Sequence, residues 1–225
     1  MQASHLRRAA WSAAALAAVL AWDLSGADLP LARLAGDSHG FSLRTHWLAA
    51  GVLHDGARHL AWLLALVLCV LAAWPLGPWR RLPWRRRVQL AAVPLFASAL
   101  VALLKTSSST SCPWDLAAFG GVARHVPHWQ WFAADGGPGR CFPAGHASTG
   151  FAFAGGWFAW HDTAPALANA WLAMALCAGL ALGIAQQLRG AHFMSHTLWT
   201  AWICWMAGWL LDPLFRTRCR AEVAA

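Results

Sequence analysis

The sequence predicts an all-α integral membrane protein, a single domain over residues 1–225 that forms a bundle of six transmembrane helices. The 225-residue chain is 59% hydrophobic and only 12% charged, whereas a typical soluble domain carries about 25% charged residues. Its apolar residues fall in long runs, as the spans of a membrane protein do. Many of the 17 tryptophans lie near the ends of these runs, where an interfacial aromatic belt is expected.

Six apolar runs are separated by polar loops, and their approximate bounds are 9–22, 59–76, 88–104, 146–160, 165–186 and 197–211. The first run is short and follows two arginines. A Pro-punctuated loop at 80–87 holds five arginines, and the longest polar region, 106–140, is rich in Ser, Gly, Pro and His. The alternation of apolar runs with such loops predicts six consecutive spans.

The distribution of arginine predicts how these spans are oriented. Six spans place both termini on the same side as the 80–87 loop, and ten of the 17 Lys and Arg residues fall in these three segments. Arg-dense segments stay on the cytoplasmic side. The segments 23–58, 105–146 and 186–196 are therefore expected on the outer side. The net charge of +8 is explained by this asymmetry, and no nucleic-acid partner is expected.

Two histidine segments fall on the predicted outer side. His146 starts span four after a Gly-rich loop, His192 lies between spans five and six, and Lys105 ends span three, with Arg140 and Arg189 nearby in the loops. Two imidazoles with several cations suit phosphoryl transfer, because one imidazole can attack phosphorus while the other protonates the leaving oxygen. Each residue alone has a plainer interpretation, since a cation that ends a span is usually an interfacial anchor.

The same residues resemble the three motifs of the type-2 phosphatidic acid phosphatase family, which shares its site with vanadium haloperoxidases. The matching segments are Lys105 followed after six residues by Cys112-Pro113, then Pro143-Ala144-Gly145-His146, and Gly190-Ala191-His192 with Ser195-His196. The resemblance covers the motif region 105–196. It implies that His192 is the nucleophile and forms a phosphohistidine, and that His146 is the general acid. Lys105 would bind the phosphate, together with Gly145 and the nearby Arg140 and Arg189.

Four positions depart from the family pattern. Cys112 stands where the family has Arg, and Ala144 stands where it has Ser. Gln186 replaces a family Arg, although Arg189 lies one turn later on the same helix face and could substitute for it. His196 replaces the family Asp four residues after the nucleophile. Its imidazole can orient the nucleophile through a hydrogen bond, but it brings no negative charge.

These features predict a lipid phosphatase of a bacterial inner membrane, with its site facing the periplasm and its substrate in the outer leaflet. The substrate is expected to be a polyprenyl diphosphate, a phosphorylated glycolipid or a phosphatidic acid. No cofactor is expected, and no metal, because the outer histidines lack tight ligand spacing. Extra cations favour a diphosphate, and they are Arg58, Arg124, Arg140 and Arg189. Two alternatives stay open: a phosphotransferase that passes the phosphate to another lipid, and an inactive protein that binds anionic headgroups.

Two further groups of residues bear on the outer side. Cys112 and Cys141 are the only cysteines of the outer loops, and an oxidising compartment favours a disulfide between them, with two free thiols as the alternative. The other cysteines fall in spans or in the tail, and are Cys69, Cys177, Cys204 and Cys219. His54, Asp55 and Arg58 lie at the outer end of span two, where they either add polar groups to the site or cap a helix.

Overall fold

A computed structural model describes residues 2–130 and 132–216, and these are mostly helical. The long helices are α1 (Gln2–Ser25), α3 (Ala57–Ala73), α4 (Trp84–Ser107), α7 (Pro165–Leu188) and α8 (Met194–Phe215). The short helices are α2 (Asp28–Ala32), α5 (Gly145–Phe151) and α6 (Gly156–Trp160). A small antiparallel hairpin joins β1 (Gly36–Asp37) to β2 (Gly40–Phe41).

Irregular helical turns extend two of these elements. A π-helical segment, Leu48–Gly56, leads directly into α3, and a 3-10 segment, Ala152–Gly155, joins α5 to α6. Further 3-10 turns lie in the loops, at Gly77–Arg81, Pro113–Asp115 and Ala117–Phe119. The predicted run 146–160 therefore lies in the continuous helical segment 145–160. The predicted run 59–76 overlaps the helical segment 48–73 but extends three residues beyond its end.

The largest difference from the predicted spans lies before α3. Helical structure begins at Leu48, well before residue 59, and part of the predicted loop 23–58 forms α2 and the hairpin. The residues of 48–53 are apolar enough to extend the helix, whereas the polar residues His54 and Asp55 resembled a loop in the sequence. In the folded chain these polar residues lie on a helix beside α5, which is why the span starts earlier than its hydropathy indicates.

Three helical segments are long and apolar enough to cross a membrane within the described part of the chain, and they are Leu48–Ala73, Trp84–Ser107 and Pro165–Leu188. The protein is thus of the membrane class that the composition predicts. The six-span count and the orientation remain predictions. Arg218, Arg220 and Cys219, which the sequence places in the cytoplasmic tail, lie outside the described residues.

Glycines bring the helix that carries His146 close to two long helices. A Cβ on Gly150 would lie 2.3 Å from the backbone nitrogen of Gly179 in α7, and one on Gly155 would lie 3.2 Å from the Cα of Gly208 in α8. Small residues of this kind allow membrane helices to pack backbone to backbone. A core of buried side chains surrounds this contact, and includes Ala97, Val101, Ala147, Phe151, Cys204 and Ala207.

Helices α4 and α8 run in opposite directions, since Arg86 near the start of α4 is hydrogen-bonded to Asp212 near the end of α8. We call this end of the bundle the arginine end. The opposite end, which holds the end of α4 and the starts of α5 and α8, is called the histidine end. Arg86 and Lys105 are separated along α4 by about 28 Å at the usual helical rise, close to the thickness of a bilayer core.

A cap of loops and short elements covers the histidine end. Its buried apolar side chains are Ala32, Phe41, Leu116, Phe119, Ala123 and Phe193. Gly190 has a φ of +75°, and a Cβ at this position would lie 2.3 Å from the Phe41 ring. Only glycine fits a left-handed turn packed this closely. The turn after α7 therefore depends on Gly190, and it places His192 beneath the cap.

Candidate active site

Lys105, His146 and His192 converge at the histidine end. Lys105 lies in the last turn of α4, and its Nζ is 3.8 Å from the point that a Cβ on Gly145 would occupy. Its charge acts on the rings of both His146 and His192. Within residues 2–130 and 132–216, no carboxylate pairs with this ammonium. The cluster therefore holds a positive charge without an internal counter-ion.

His192 is buried in the turn between α7 and α8, with 2% of its surface exposed. Its Nδ1 lies 3.5 Å from the Sγ of Cys141 and 3.5 Å from the Nδ1 of His196. Burial, and then the Lys105 ammonium, hold the pKa of His192 well below its usual range. The ring is thus neutral at physiological pH, the form in which an imidazole can attack phosphorus. Because Nδ1 faces Cys141 and His196, Nε2 is the nitrogen left for such an attack.

His196 is fully buried in the first turns of α8, with 1% of its surface exposed. Its ring is packed edge-on against three aromatic rings, those of His128, Phe142 and Phe193. The 3.5 Å between its Nδ1 and that of His192 exceeds the usual hydrogen-bond range of about 2.7–3.2 Å. In the described part of the chain no carboxylate is hydrogen-bonded to either imidazole. The orienting contact expected from the sequence is therefore long and uncharged.

His146 begins α5 and is stacked on a second imidazole. The ring centroids of His54 and His146 are 3.5 Å apart, with 26° between the planes. The Nδ1 of His54 is 3.0 Å from the Oδ1 of Asp55, which also lies 3.8 Å from an Arg58 nitrogen. From the sequence, His54, Asp55 and Arg58 were expected either to add polar groups to the site or to cap a helix. The extended helix before α3 brings it into direct contact with His146.

Arg189 lies near the cluster of Lys105, His146 and His192. Gln186 is hydrogen-bonded to Arg189. The Nε of Arg189 donates to the backbone oxygen of Arg44 at 3.0 Å, and its Nη1 donates to the Oε1 of Gln186 at 3.0 Å. The Arg189 charge acts on the His146 ring. Because two of its nitrogens are anchored in this way, the guanidinium is held in place at the edge of the cluster.

Two of the arginines counted as extra cations, Arg124 and Arg140, have hydrogen bonds within the long loop 106–144. Arg140 is exposed and has a φ of +58°, and its backbone nitrogen donates to the oxygen of Ser108. Its guanidinium makes no hydrogen bond or ion pair with any described residue. The Arg124 guanidinium donates to the oxygen of Ala134 within its own loop. The charges of Arg58 and Arg189 thus lie near His146, whereas the phosphate-binding role of Arg140 stays a prediction.

The long loop 106–144 is fastened over the site by covalent and polar links. Cys112 and Cys141 are joined by a disulfide. The buried carboxylate of Asp135 accepts hydrogen bonds from the backbone nitrogen and the hydroxyl of Ser111, at 2.6 and 2.9 Å. The backbone nitrogen of Trp114 donates to the oxygen of Gly190 at 2.9 Å. These links connect the segments of all three motifs.

A cavity of about 460 Å³ opens beside Lys105 and His146, between α3, α4 and α5. Its polar end is formed by Arg58, Lys105, Gly145 and His146. The rest of its wall is mainly apolar, and includes Trp62, Ala65, Pro94, Leu95, Val101 and Phe153. The cavity therefore combines a cationic end with a hydrocarbon-like wall, as a lipid with an anionic headgroup requires.

Cys141, His192 and His196 form a cluster that the sequence analysis missed. Their sulfur and nitrogen atoms all lie within 4.8 Å of one another, whereas the expectation of no metal rested on an absence of close ligand spacing. The spacing of four residues between His192 and His196 already indicates one helix face. The approach of Cys141 depends on the fold of the long loop, and no local signal in the sequence indicates it.

Comparison with known proteins identifies the motif-bearing region. The family model described as the PAP2 superfamily matches residues 87–219. This match covers more than half of the chain and contains all three motifs. No curated protein and no solved structure matches the chain.

Proposed function

Because the chain belongs to the PAP2 superfamily, we propose that it is a membrane phosphatase that removes phosphate from a lipid phosphate or diphosphate through a phosphohistidine on His192. Membership of this superfamily supports a phosphoric ester hydrolase in general. One observation carries the finer proposal: the Lys105 ammonium lies with His146 in the wall of one cavity and has no carboxylate partner among the described residues. Lys105 is half-buried, partial burial of an unpaired cation is costly, and a substrate phosphate would supply the missing negative charge.

In the first step, the Nε2 of His192 attacks phosphorus and forms a P–N bond. His146 enters this step as the imidazolium, the form favoured by the negative charge of the bound phosphate. The bond between phosphorus and the leaving oxygen of the lipid breaks, and that oxygen receives the proton from His146. Lys105 and Arg189 stabilise the charge on the remaining phosphoryl oxygens. His54, stacked on His146 at 3.5 Å, limits the movement of the His146 ring.

In the second step, a water molecule attacks the phosphohistidine. His146, now neutral, takes a proton from the water as the new P–O bond forms and the P–N bond breaks. Inorganic phosphate leaves, and both imidazoles return to their starting state. No other group is consumed, so that one water molecule and one lipid phosphate give one alcohol, or one lipid monophosphate, and one phosphate.

A lipid substrate is supported by the cavity beside Lys105. Its cationic end accepts the headgroup, and its apolar wall contacts the first part of the chain. Two of the wall residues, Trp62 and Leu95, have exposed side chains on the surface of the helices. A chain bound there passes into the bilayer without crossing water, whereas a soluble phosphate ester would not use this apolar wall.

We further propose a preference for a diphosphate lipid. Arg58 lines the cavity and Arg189 lies near His146, so cations are available beyond Lys105 for a second phosphate group. Arg124 and Arg140, which were counted toward this preference in the sequence, are not needed for it. A polyprenyl diphosphate or a diphosphorylated glycolipid fits this description better than a phosphatidic acid.

The proposal is tested by phosphate release from purified protein in detergent, without added divalent metal. A long-chain prenyl diphosphate and a phosphatidic acid are compared in matched micelles, and we expect the diphosphate to be hydrolysed faster. Equal or reversed rates contradict the diphosphate preference. Absence of release from both, with a phosphorylated product when a lipid acceptor is added, indicates a phosphotransferase. Absence of any product favours the alternative of an inactive protein that binds anionic lipids.

The site is proposed to face the periplasm of a bacterial inner membrane, with both termini in the cytoplasm. The arginine end holds Arg86 and the loop 80–87, and such loops are retained inside. A reporter that is active only outside the cytoplasm should give signal when fused after Arg140 and no signal when fused after Arg87. The opposite pattern would show that the orientation is reversed. His146 and His192 would still lie at the same end of the bundle.

A further inference from the structure

Three buried metal-ligating side chains meet beside the proposed nucleophile. The Sγ of Cys141 and the Nδ1 of His196 each lie 3.5 Å from the Nδ1 of His192, and the three ligand atoms lie within 4.8 Å of one another. All three residues are buried, with exposures of 0%, 2% and 1%. The arrangement is not explained by the phosphatase mechanism, which uses the Nε2 of His192 and needs no sulfur.

The distances between these ligand atoms match the distances between ligands around a tetrahedral zinc ion. With Zn–N distances of about 2.0–2.1 Å and Zn–S of about 2.3 Å, two ligands of a tetrahedral site lie roughly 3.3–3.6 Å apart. Two of the three ligand pairs in the cluster already have this separation. Cysteine thiolate and histidine are both zinc ligands, and zinc sites with three protein ligands keep an open fourth position. An ion could therefore enter this cluster with little movement of the His192 and His196 rings.

The disulfide controls whether the sulfur can act as a ligand. In the structure Cys141 is bonded to Cys112, and a disulfide sulfur is not the thiolate that zinc prefers. A dithiol or phosphine reductant supplies the two electrons that break the S–S bond and leave two thiols. The two protons come from the dithiol or, with a phosphine, from the water whose oxygen is taken up as phosphine oxide. The Cys141 thiol then loses its proton when it binds the metal. Cys112 becomes a free thiol that does not belong to the three-ligand cluster.

We propose that Cys141, His192 and His196 form a zinc site that opens when the Cys112–Cys141 disulfide is reduced, and that zinc bound there inhibits the enzyme. Zinc binds the lone pair of Nδ1 on His192, so that the ring is held in the tautomer whose proton is on Nε2. Nε2 then has no free lone pair, and its attack on phosphorus is suppressed. The inhibition rests on the proposed function, whereas the metal site itself does not.

The two single cysteine variants separate this site from a general effect of losing the disulfide. Cys112→Ser frees the Cys141 thiol without any reductant, and Cys141→Ser breaks the same bond but removes the ligand. Cobalt(II) is the probe, because a thiolate ligand gives it a charge-transfer absorption that imidazole ligands do not give. We expect Cys112→Ser to bind one cobalt with this absorption, and zinc to displace it. We expect Cys141→Ser to lack the absorption and to bind at least about 10–100-fold more weakly.

The wild-type protein tests whether metal binding depends on reduction of the Cys112–Cys141 disulfide. Oxidised protein should show no thiolate absorption with cobalt, and protein reduced with a phosphine should show it, while His196→Ala reduced in the same way should not. The proposal is overturned if Cys112→Ser and reduced wild type fail to bind, or if Cys141→Ser binds equally well. It is also overturned if either reduced form loses its native near-ultraviolet circular dichroism, because the site requires the folded loop.

Turnover then tests inhibition separately. With prenyl diphosphate as substrate, micromolar zinc should lower the activity of Cys112→Ser at least tenfold relative to zinc-free protein, and should leave oxidised wild type within twofold. Equal inhibition of both proteins contradicts the inhibitory role and leaves the metal site standing. If no variant hydrolyses lipid, the proposed function fails, and the cobalt titration still decides the metal site.

Discussion

Both ends of the helix bundle hold positively charged side chains, but these charges are paired with a carboxylate at one end and unpaired at the other. At the arginine end, the fully buried Asp212 accepts hydrogen bonds from Arg86, Gln89 and Arg216, at 2.5, 3.2 and 2.7–2.9 Å. At the histidine end, Lys105 has no carboxylate partner among the described residues. The first group of charges is satisfied within the protein, and the second is not.

This difference separates a structural network from a candidate binding site. A buried charge is tolerated when it is paired and hydrogen-bonded, and removal of one partner leaves the other uncompensated. The network around Asp212 meets this condition, and it ties α4 to α8. The ammonium of Lys105 does not meet it until an anion arrives. The predictions below test the comparison, beginning with the largest expected effect.

The largest effect is expected at the histidine end from His192→Ala. The variant loses the only proposed nucleophile, so turnover should fall by at least about 10⁴-fold, in line with the loss of a nucleophile in other covalent enzymes. Its free energy of unfolding should change far less than its activity. The measurement is phosphate release together with a thermal unfolding scan. Residual activity within tenfold of wild type would remove His192 from the mechanism.

His146→Ala should lower the rate by about 10²–10⁴-fold for a lipid alcohol, which is a poor leaving group. An aryl phosphate with a nitrophenol leaving group needs little protonation, and its hydrolysis should fall by a much smaller factor. The ratio of the two rates reports the role of the general acid. His54→Ala should act in the same direction but less strongly, since it removes only the stacked neighbour of His146. Equal losses for both substrates would contradict this role for His146.

A paired experiment compares the cations of the two ends directly. Lys105→Met should lower activity by about 10²–10³-fold, as loss of a group that stabilises the transition state does elsewhere. It should not destabilise the fold, because it removes an unpaired, half-buried charge. Arg86→Met should leave turnover of the folded protein unchanged and lower the free energy of unfolding by about 3 kcal/mol, because Asp212 loses a partner. Activity and chemical denaturation are measured on both variants.

Outcomes opposite to these would contradict the distinction between a structural arginine end and a functional histidine end. If Arg86→Met lost activity while it remained folded, the arginine end would take part in function. If Lys105→Met unfolded the protein without affecting the turnover of the folded fraction, Lys105 would be a structural anchor.

The smallest effect is expected from His196→Asp, which restores the carboxylate of the family pattern. Because His196 has only a long contact with His192, at 3.5 Å, we expect the variant to retain its activity or to raise it by up to about tenfold. A carboxylate near His192 would also stabilise the charged ring that forms during transfer. Steady-state phosphate release measures the change. Complete loss of activity in a folded variant would assign His196 a specific role of its own.

The sequence predicts that His146 and His192 lie on the same side of the membrane, because two predicted spans lie between them. The location of Lys105 at the same end followed from the same reasoning. The stacking of His54 on His146 was not predicted, since residues His54 and Asp55 resembled a loop although they continue a helix. The left-handed backbone of Arg140 was also not predicted, because hydropathy gives no signal for the conformation of a long loop.

The cluster of Cys141 with the two histidines shows a second limit. The four-residue spacing of His192 and His196 is a local feature that favours a short distance between the two rings, although His192 lies in the turn before α8 and only His196 lies in the helix. The position of Cys141 is set by a disulfide and by loop contacts that connect distant parts of the chain. Such contacts depend on tertiary packing, which periodicity and spacing do not encode.

Phosphoenzyme trapping tests the central claim most directly. Purified protein is mixed with a lipid diphosphate labelled in its terminal phosphate, quenched in alkali within its first turnovers, and digested for peptide mapping. We predict an acid-labile, alkali-stable phosphate on the peptide that contains His192, and none in His192→Ala. Labelled phosphate on another residue, or hydrolysis at the full rate with no trapped phosphoenzyme, would contradict the claim that His192 is the nucleophile.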